Sequence, residues 1–311
     1  MNATNSINRY CPLLLGLLLA GCSVNPQPFV QYQSAVQEAQ TGINAAMATD
    51  YTWTRTTFIT DFAGNSSANL TQLVLTLGDG YAWTIPANPL YLEVKKAQGA
   101  LNQLNQSITD YAGLLVKLSG NQLVSTDTFD QLAKDLNQNV NSAAHAFNLS
   151  PSASSVALFS TAASEAARLY IVNKQRSDLR KAIEENQDNI QQYSDDCISL
   201  IHTIRGSLKK FYTDRSGAMV QAFPKVPEKD RQQAVGDMLD LDEQFAGVMA
   251  ILQELENTYN ALPKAHANLA KAVENPKLDL PEIEQLYSSA KRLQTLYNTL
   301  KQPPSATAAK Q

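Results

Sequence analysis

The stretch NPLYLEVKKAQGALNQLNQSITDYAGLLVKLS, residues 88–119, decides the fold. Its apolar positions Leu90, Val94, Ala97, Leu101, Leu104, Ile108, Tyr111, Leu115 and Leu118 alternate +4 and +3 without a fault. That spacing draws one apolar stripe along a helix, the pattern of helices packed at shallow angles. Asn88-Pro89 opens the helix with a cap-like residue and a first-turn proline, and Gly120 closes it.

The same seam recurs outward from this segment. Ala234, Met238, Leu241, Phe245, Val248, Leu252, Leu255, Tyr259 and Leu262 repeat it, and the register continues through His266, Leu269 and Val273. Pro263 lies inside that run, so a kink or a break is expected there without loss of the seam. Pro227 and Glu228 start this helix and Asn275-Pro276 stops it. A first helix carries Tyr32, Val36, Ala39, Ile43 and Ala46 and runs to about Phe62, and a shorter one carries Phe129, Leu132, Leu136, Val140, Ala143 and Phe147. Leu179, Ile183, Asn186, Ile190, Tyr193, Cys197, Leu200, Ile204, Leu208 and Phe211 mark a long helix over 152–222. Unbroken, it would approach ~100 Å. Asn186 is the polar exception on that seam, the kind of residue that fixes register. Ile283, Leu286, Ala290, Leu293, Tyr297 and Leu300 mark the last helix.

Six helices with short joins predict an all-α fold, an elongated antiparallel bundle with coiled-coil-like seams. Residues 29–301 read as one helical domain, with Phe223–Pro227 the best point of division. The tail 302–311 has no apolar period and reads as disordered.

One segment departs from this pattern. LVLTLGDGYAWTIP, residues 73–86, alternates apolar residues about Gly78-Asp79-Gly80 and predicts a short apolar β-hairpin. With a three-residue loop, Leu77 faces Tyr81, Leu75 faces Trp83 and Leu73 faces Ile85, all six on one face. The competing reading is a short helix, because Leu70, Leu73, Val74 and Leu77 also fit helical spacing. A lone hairpin is marginal in water, so its apolar face needs a cover. That cover is either the end of its own bundle or a docked partner.

The N-terminus carries the cellular address. Arg9 precedes the apolar run CPLLLGLLLA, which is too short to span a bilayer and ends in Leu19-Ala20-Gly21-Cys22. This order of apolar residue, two small residues and cysteine resembles the lipobox of bacterial lipoproteins. The resemblance implies that residues 1–21 are a signal peptide and that Cys22 is acylated, with palmitate-type chains. Residues 22–28 would then be the lipidated cysteine and a short tether. With Ser23 in second place, the resemblance implies the periplasmic face of the outer membrane. Two or three acyl chains anchor stably, each buried methylene contributing about 0.8 kcal/mol. The seam-rich body looks like other helical envelope lipoproteins, a resemblance that implies no activity.

Chemistry is hard to find in the sequence. A formal charge of −4 calls for no nucleic acid. The three histidines, His145, His202 and His266, form no HExxH, and there is no CxxC, GxSxG, P-loop or GxGxxG. Cys197 and His202 are five residues apart, off one another's helical face by about 140°. Asp237, Asp240, Asp242 and Glu243 read as a solvated acidic face, since calcium needs an oxygen-rich loop. No catalytic residue, metal or cofactor is expected. The basic concentration Arg168, Lys174, Arg176, Arg180 and Lys181 reads as a solvated face or as a patch for an acidic partner. The sequence therefore points to a non-enzymatic envelope scaffold or docking module with an unidentified envelope protein as partner. The alternative is a membrane-active helical protein, like a pore-forming toxin, that uses the apolar hairpin.

Overall fold

The computed structural model describes residues 24–64, 76–77, 83–84, 90–120, 124–147, 160–275 and 279–301. These residues are all-α in class. The helices are α1 (Gln27–Gly64), α2 (Leu90–Ser119), α3 (Thr126–Phe147), α4 (Thr161–Asn173), α5 (Arg176–Glu184), α6 (Gln187–Ala222), α7 (Arg231–Glu274) and α8 (Pro281–Lys301). None is long and apolar enough to cross a membrane. Between α1 and α2, β1 (Thr76–Leu77) and β2 (Trp83–Thr84) form a two-rung antiparallel ladder.

The core is built on the seams. α1 packs on α2, α7 and α8, while α2 also packs on α3, α5 on α4 and α7, and α6 on α7. Leu101, Leu104, Ile108, Tyr111, Leu115 and Leu118 of α2 are all buried, as are Val248, Leu252, Leu255, Tyr259 and Leu262 of α7. The core also takes in Val24, and α1 starts at Gln27, inside the stretch that reads as tether.

Pairings between helices give their directions. Gln33 sits against Gly113, whereas Gln40 bonds Gln106 and Thr109, so α1 and α2 are antiparallel. Tyr32 meets the His266 ring at 6.1 Å, while Val36 and Ala39 lie by Thr258, Tyr259 and Leu262, so α1 and α7 are antiparallel too. The N-terminal end of α1 therefore lies at one end of the molecule, and the α6–α7 connection points toward the other.

Two expectations need correction. The long helix over 152–222 is broken twice within the described residues. At the first break Lys174 adopts the left-handed conformation, φ 56°, and its N–H closes α4 on the Tyr170 carbonyl at 2.7 Å. At the second break Asn186 is buried and leads into α6. Its Oδ1 accepts from the Ser160 N–H at 3.2 Å and from Asn189 Nδ2 at 2.9 Å. Ser160 also caps α4 through the Ala163 N–H and donates to the Glu185 carbonyl. The start of α4 is thereby tied to the end of α5, and the chain folds back where a rod was expected. Asn186 thus holds a break, where the sequence reading gave it a register role within one helix.

The hairpin register also differs. The ladder pairs Leu77 with Trp83 and Thr76 with Thr84, so residues 78–82 join the strands in place of a three-residue loop. Phe223–Pro227 lies in the turn between α6 and α7.

Pro263 neither breaks α7 nor leaves an orphan. A proline cannot donate to the carbonyl four residues back, here that of Tyr259. Ser194 Oγ donates to that carbonyl instead, at 2.6 Å.

Candidate functional site

Among the described residues, the sequence-predicted groups do not gather into one site. Cys22 lies outside the described residues, as do Leu73, Leu75, Tyr81 and Ile85 of the hairpin. Leu77 and Trp83 are seen only as paired backbone. The basic set runs from α4 through α5, and two of its members are paired with acids. Arg168 meets Asp130 at 2.6 Å, and Arg180 meets both Glu184 and Glu274. Lys174 lies 5.4 Å from the centre of the Tyr170 ring, Lys181 is exposed on α5 and Arg176 is half-buried. Cys197 is buried, and burial pushes its thiol up to about 12, far from a nucleophile's range. His202 is exposed and turned to Glu256 at 3.2 Å.

Polar groups do converge in the core, where each serves a neighbour. Tyr111 donates to His266 Nε2 at 2.5 Å, which fixes the proton on Nδ1. Nδ1 then donates to Gln187 Oε1 at 2.8 Å, and Gln187 Nε2 donates to the Pro263 carbonyl at 2.9 Å. Burial holds the imidazole down at about 3, so it stays neutral. Tyr193 and Tyr259 both donate to Asn105 Oδ1. The void beside this cluster is only about 10 Å³, too small for a substrate. A wider groove of about 280 Å³ between α7 and α8 is open and polar, lined by Asn257, Lys264, Glu282 and Arg292. Arg292 is already held by Glu254 at 2.8 Å.

The strongest candidate is a projection. Burial along α6 ends at Leu208, and burial along α7 begins at Val248. Between them lie Lys209–Ala222, the turn and Arg231–Gly247, with no buried residue. The two arms extend ~20–25 Å beyond the core. Their shared seam still packs: Tyr212 stacks on Phe245 at 4.2 Å, and its hydroxyl donates to Asp242 at 2.7 Å. At the base, Arg205 and His202 both engage Glu256. Burial pulls that carboxyl upward, but the two partners outweigh it and hold it below the usual range. At the tip, 3-10 turns at Phe223–Lys225 and Glu228–Asp230 follow Ala222, and Arg231 lies over the Phe223 ring and donates to the Val226 carbonyl.

This projection exposes large apolar side chains. Val220 is 64% exposed, Leu239 57%, Val235 47% and Phe223 37%. Counting seam positions passes over them, because Val235 and Leu239 stand one residue off the seam residues Ala234 and Met238. The readable signal was apolar residues beside an already complete stripe. On a second stripe four residues apart, they need a second neighbour. The acidic residues Asp237, Asp240, Asp242 and Glu243 are exposed along the same arm. Among the described residues, no His, Cys, Asp and Glu side chains group to hold a metal.

Comparison with protein-family models, with characterised proteins and with solved structures finds no match for this chain.

Proposed function

We propose that this protein is a lipid-anchored bacterial envelope protein, acylated at Cys22, whose body acts as a non-enzymatic scaffold. In this reading the body is an elongated antiparallel helical bundle, and its task is to hold the α6–α7 projection away from the anchoring membrane. The observation that carries the reading is directional. Val24 joins the core five residues before Phe29, and α1 runs antiparallel to α7. Tyr32 is level with His266, so the start of α7 stands ~50 Å along the axis, and the tip roughly 60 Å from the level of Val24. An apolar tip at that distance suits contact with a protein in the envelope space more than contact with the bilayer that holds the anchor.

Two experiments test this. Cys22→Ser is expected to abolish labelling by a palmitate analogue and to release the protein from membranes; a variant that stays membrane-bound overturns the anchor. For the geometry, Lys225→Cys supplies an accessible thiol at the tip, Cys197 being buried. A donor dye there, on acylated protein in liposomes carrying a headgroup acceptor, is expected to show weak energy transfer. Strong transfer would mean that the body lies along the membrane.

A further inference from the structure

We propose that the occupant of the apolar face of the α6–α7 projection is a second copy of this chain, packed with both tips pointing the same way to form a four-helix bundle. This rests on the reading of the protein as anchored at one end.

The exposed apolar residues share one face. Tyr212 lies against Asp242 and Phe245, which sets the faces of α6 and α7 that meet. At 100° per residue, Val220 stands about 80° from that contact on α6, and Val235 and Leu239 stand about 80° and 120° from it on α7. Because the helices are antiparallel, these rotations turn to the same side of the pair. Val220 is level with Gly236, and Leu239 is level with Gly217.

Glycines mark the same side. A Cβ added at Gly206, Gly217 or Gly236 would meet nothing within 4 Å. Each glycine weakens its helix relative to alanine, and nothing among the described residues uses the space it leaves. Gly206, Thr213, Gly217 and Val220 follow +7, +4 and +3, one stripe on α6. Gly236 stands about 180° from Phe245 on α7, about 60° from Leu239. A helix from outside can approach closely along the α6 stripe.

Charge chooses the partner and its orientation. Over 206–222, α6 carries Lys209, Lys210 and Arg215 against Asp214. Over 232–247, α7 carries no cation; its Asp242 and Glu243 lie toward the apolar face, while Asp237 and Asp240 fall within about 40° of Gln244 on the other side. Two such hairpins can meet face to face about a two-fold axis in two ways. With the axis along the hairpin, α6 of each copy lies on α7 of the other, basic on acidic, and both tips point one way. With the axis across it, α7 lies on α7, acid on acid. The first arrangement also leaves both N-terminal ends at the same end of the dimer, as anchoring in one bilayer requires. The face measures ~25 by ~20 Å, about 500 Å² per copy, at the low edge of stable interfaces. Anchoring two copies in one membrane supplies the effective concentration that such a face needs.

The test uses the full acylated chain in envelope membranes, treated with a short bismaleimide. Val235→Cys is expected to give a covalent dimer, while Gln244→Cys, exposed on the opposite side of the hairpin, is not. Lys209→Glu or Glu243→Lys, each added to Val235→Cys, is expected to lower the dimer yield several-fold, and the two together to restore it. All these positions are exposed, so circular dichroism should not change. Absence of a Val235 dimer, equal linking from Gln244, or failure of the paired reversal to restore the yield overturns the proposal. Membrane fractionation of Cys22→Ser, read separately, shows whether the anchor itself has failed.

Discussion

His266→Gln should make the fold less sensitive to acid while weakening it at neutral pH. In the folded chain the imidazole is fully enclosed, accepts from Tyr111 and donates to Gln187. Burial lowers its pKa from 6.5 to about 3. In the unfolded chain it titrates at its ordinary value. Below pH 6.5 the unfolded state therefore binds a proton that the folded state refuses. The stability contributed by the neutral ring is complete above 6.5 and drains away as pH falls toward about 3. The slope is about 1.4 kcal/mol per pH unit, so wild type should lose about 2 kcal/mol between pH 6.5 and 5 from this group alone. Glutamine can still accept from Tyr111 and donate toward Gln187, but it does not titrate. Its reshaped hydrogen bonds should cost about 1–2 kcal/mol at pH 7. Urea unfolding at pH 7, 6 and 5 would give the free energy of both proteins. The gap in favour of wild type should close, or reverse, by pH 5. The carboxylates titrate in both chains and cancel in the difference. A gap that stays constant with pH would refute the assignment of His266 as a neutral, enclosed hydrogen-bond relay.

Other sites give sharper yes-or-no tests. Ser194→Ala should cost about 1–3 kcal/mol by orphaning the Tyr259 carbonyl. Adding Pro263→Ala should recover part of that loss, because residue 263 can then donate to it; unfolding of the four proteins of the cycle measures the coupling. Lys174→Gly should raise stability by up to about 1 kcal/mol, since φ 56° strains a residue with a Cβ. Thermal unfolding checks it, and a loss would mean that the Lys174 contact with Tyr170 outweighs the strain. Tyr32→Phe should be neutral or stabilising, because Tyr32 Oη is buried with no hydrogen-bond partner among the described residues, whereas Tyr111→Phe should cost about 1–2 kcal/mol.

Helix existence was legible because a buried stripe must repeat at helical spacing: α2 from Leu101, α7 from Val248 and α8 from Ile283 to Leu293 bury the residues that the seams marked. His266 and Cys197 were legible as core residues for the same reason. The breaks were not. A left-handed cap is normally read from glycine, and here it is Lys174. The second break depends on Asn186 meeting Ser160, 26 residues away, which no local pattern carries. The α6–α7 projection was hidden differently. Its seam is as regular as the buried ones, so periodicity alone cannot show where the core stops. The exposed acids of α7 were read correctly as a solvated face, but without the bare helix between them and the core that sets them on an arm.

The buried polar network and the exposed apolar arm make sense as one device. A helical pair held by apolar contacts alone can slip by a turn, which would move the tip by about 5.4 Å and rotate its face. Between α6 and α7, directional bonds forbid that slip. Gln187 meets the Pro263 carbonyl and His266, Ser194 meets the Tyr259 carbonyl, and Arg205 meets Glu256. These contacts are spread along 187–205, about 27 Å of α6. Each accepts one register only. Pro263 is therefore useful where it stands: it frees a carbonyl inside α7 for α6 to hold. These polar residues are the ones that fix the direction in which Val220, Val235 and Leu239 are presented.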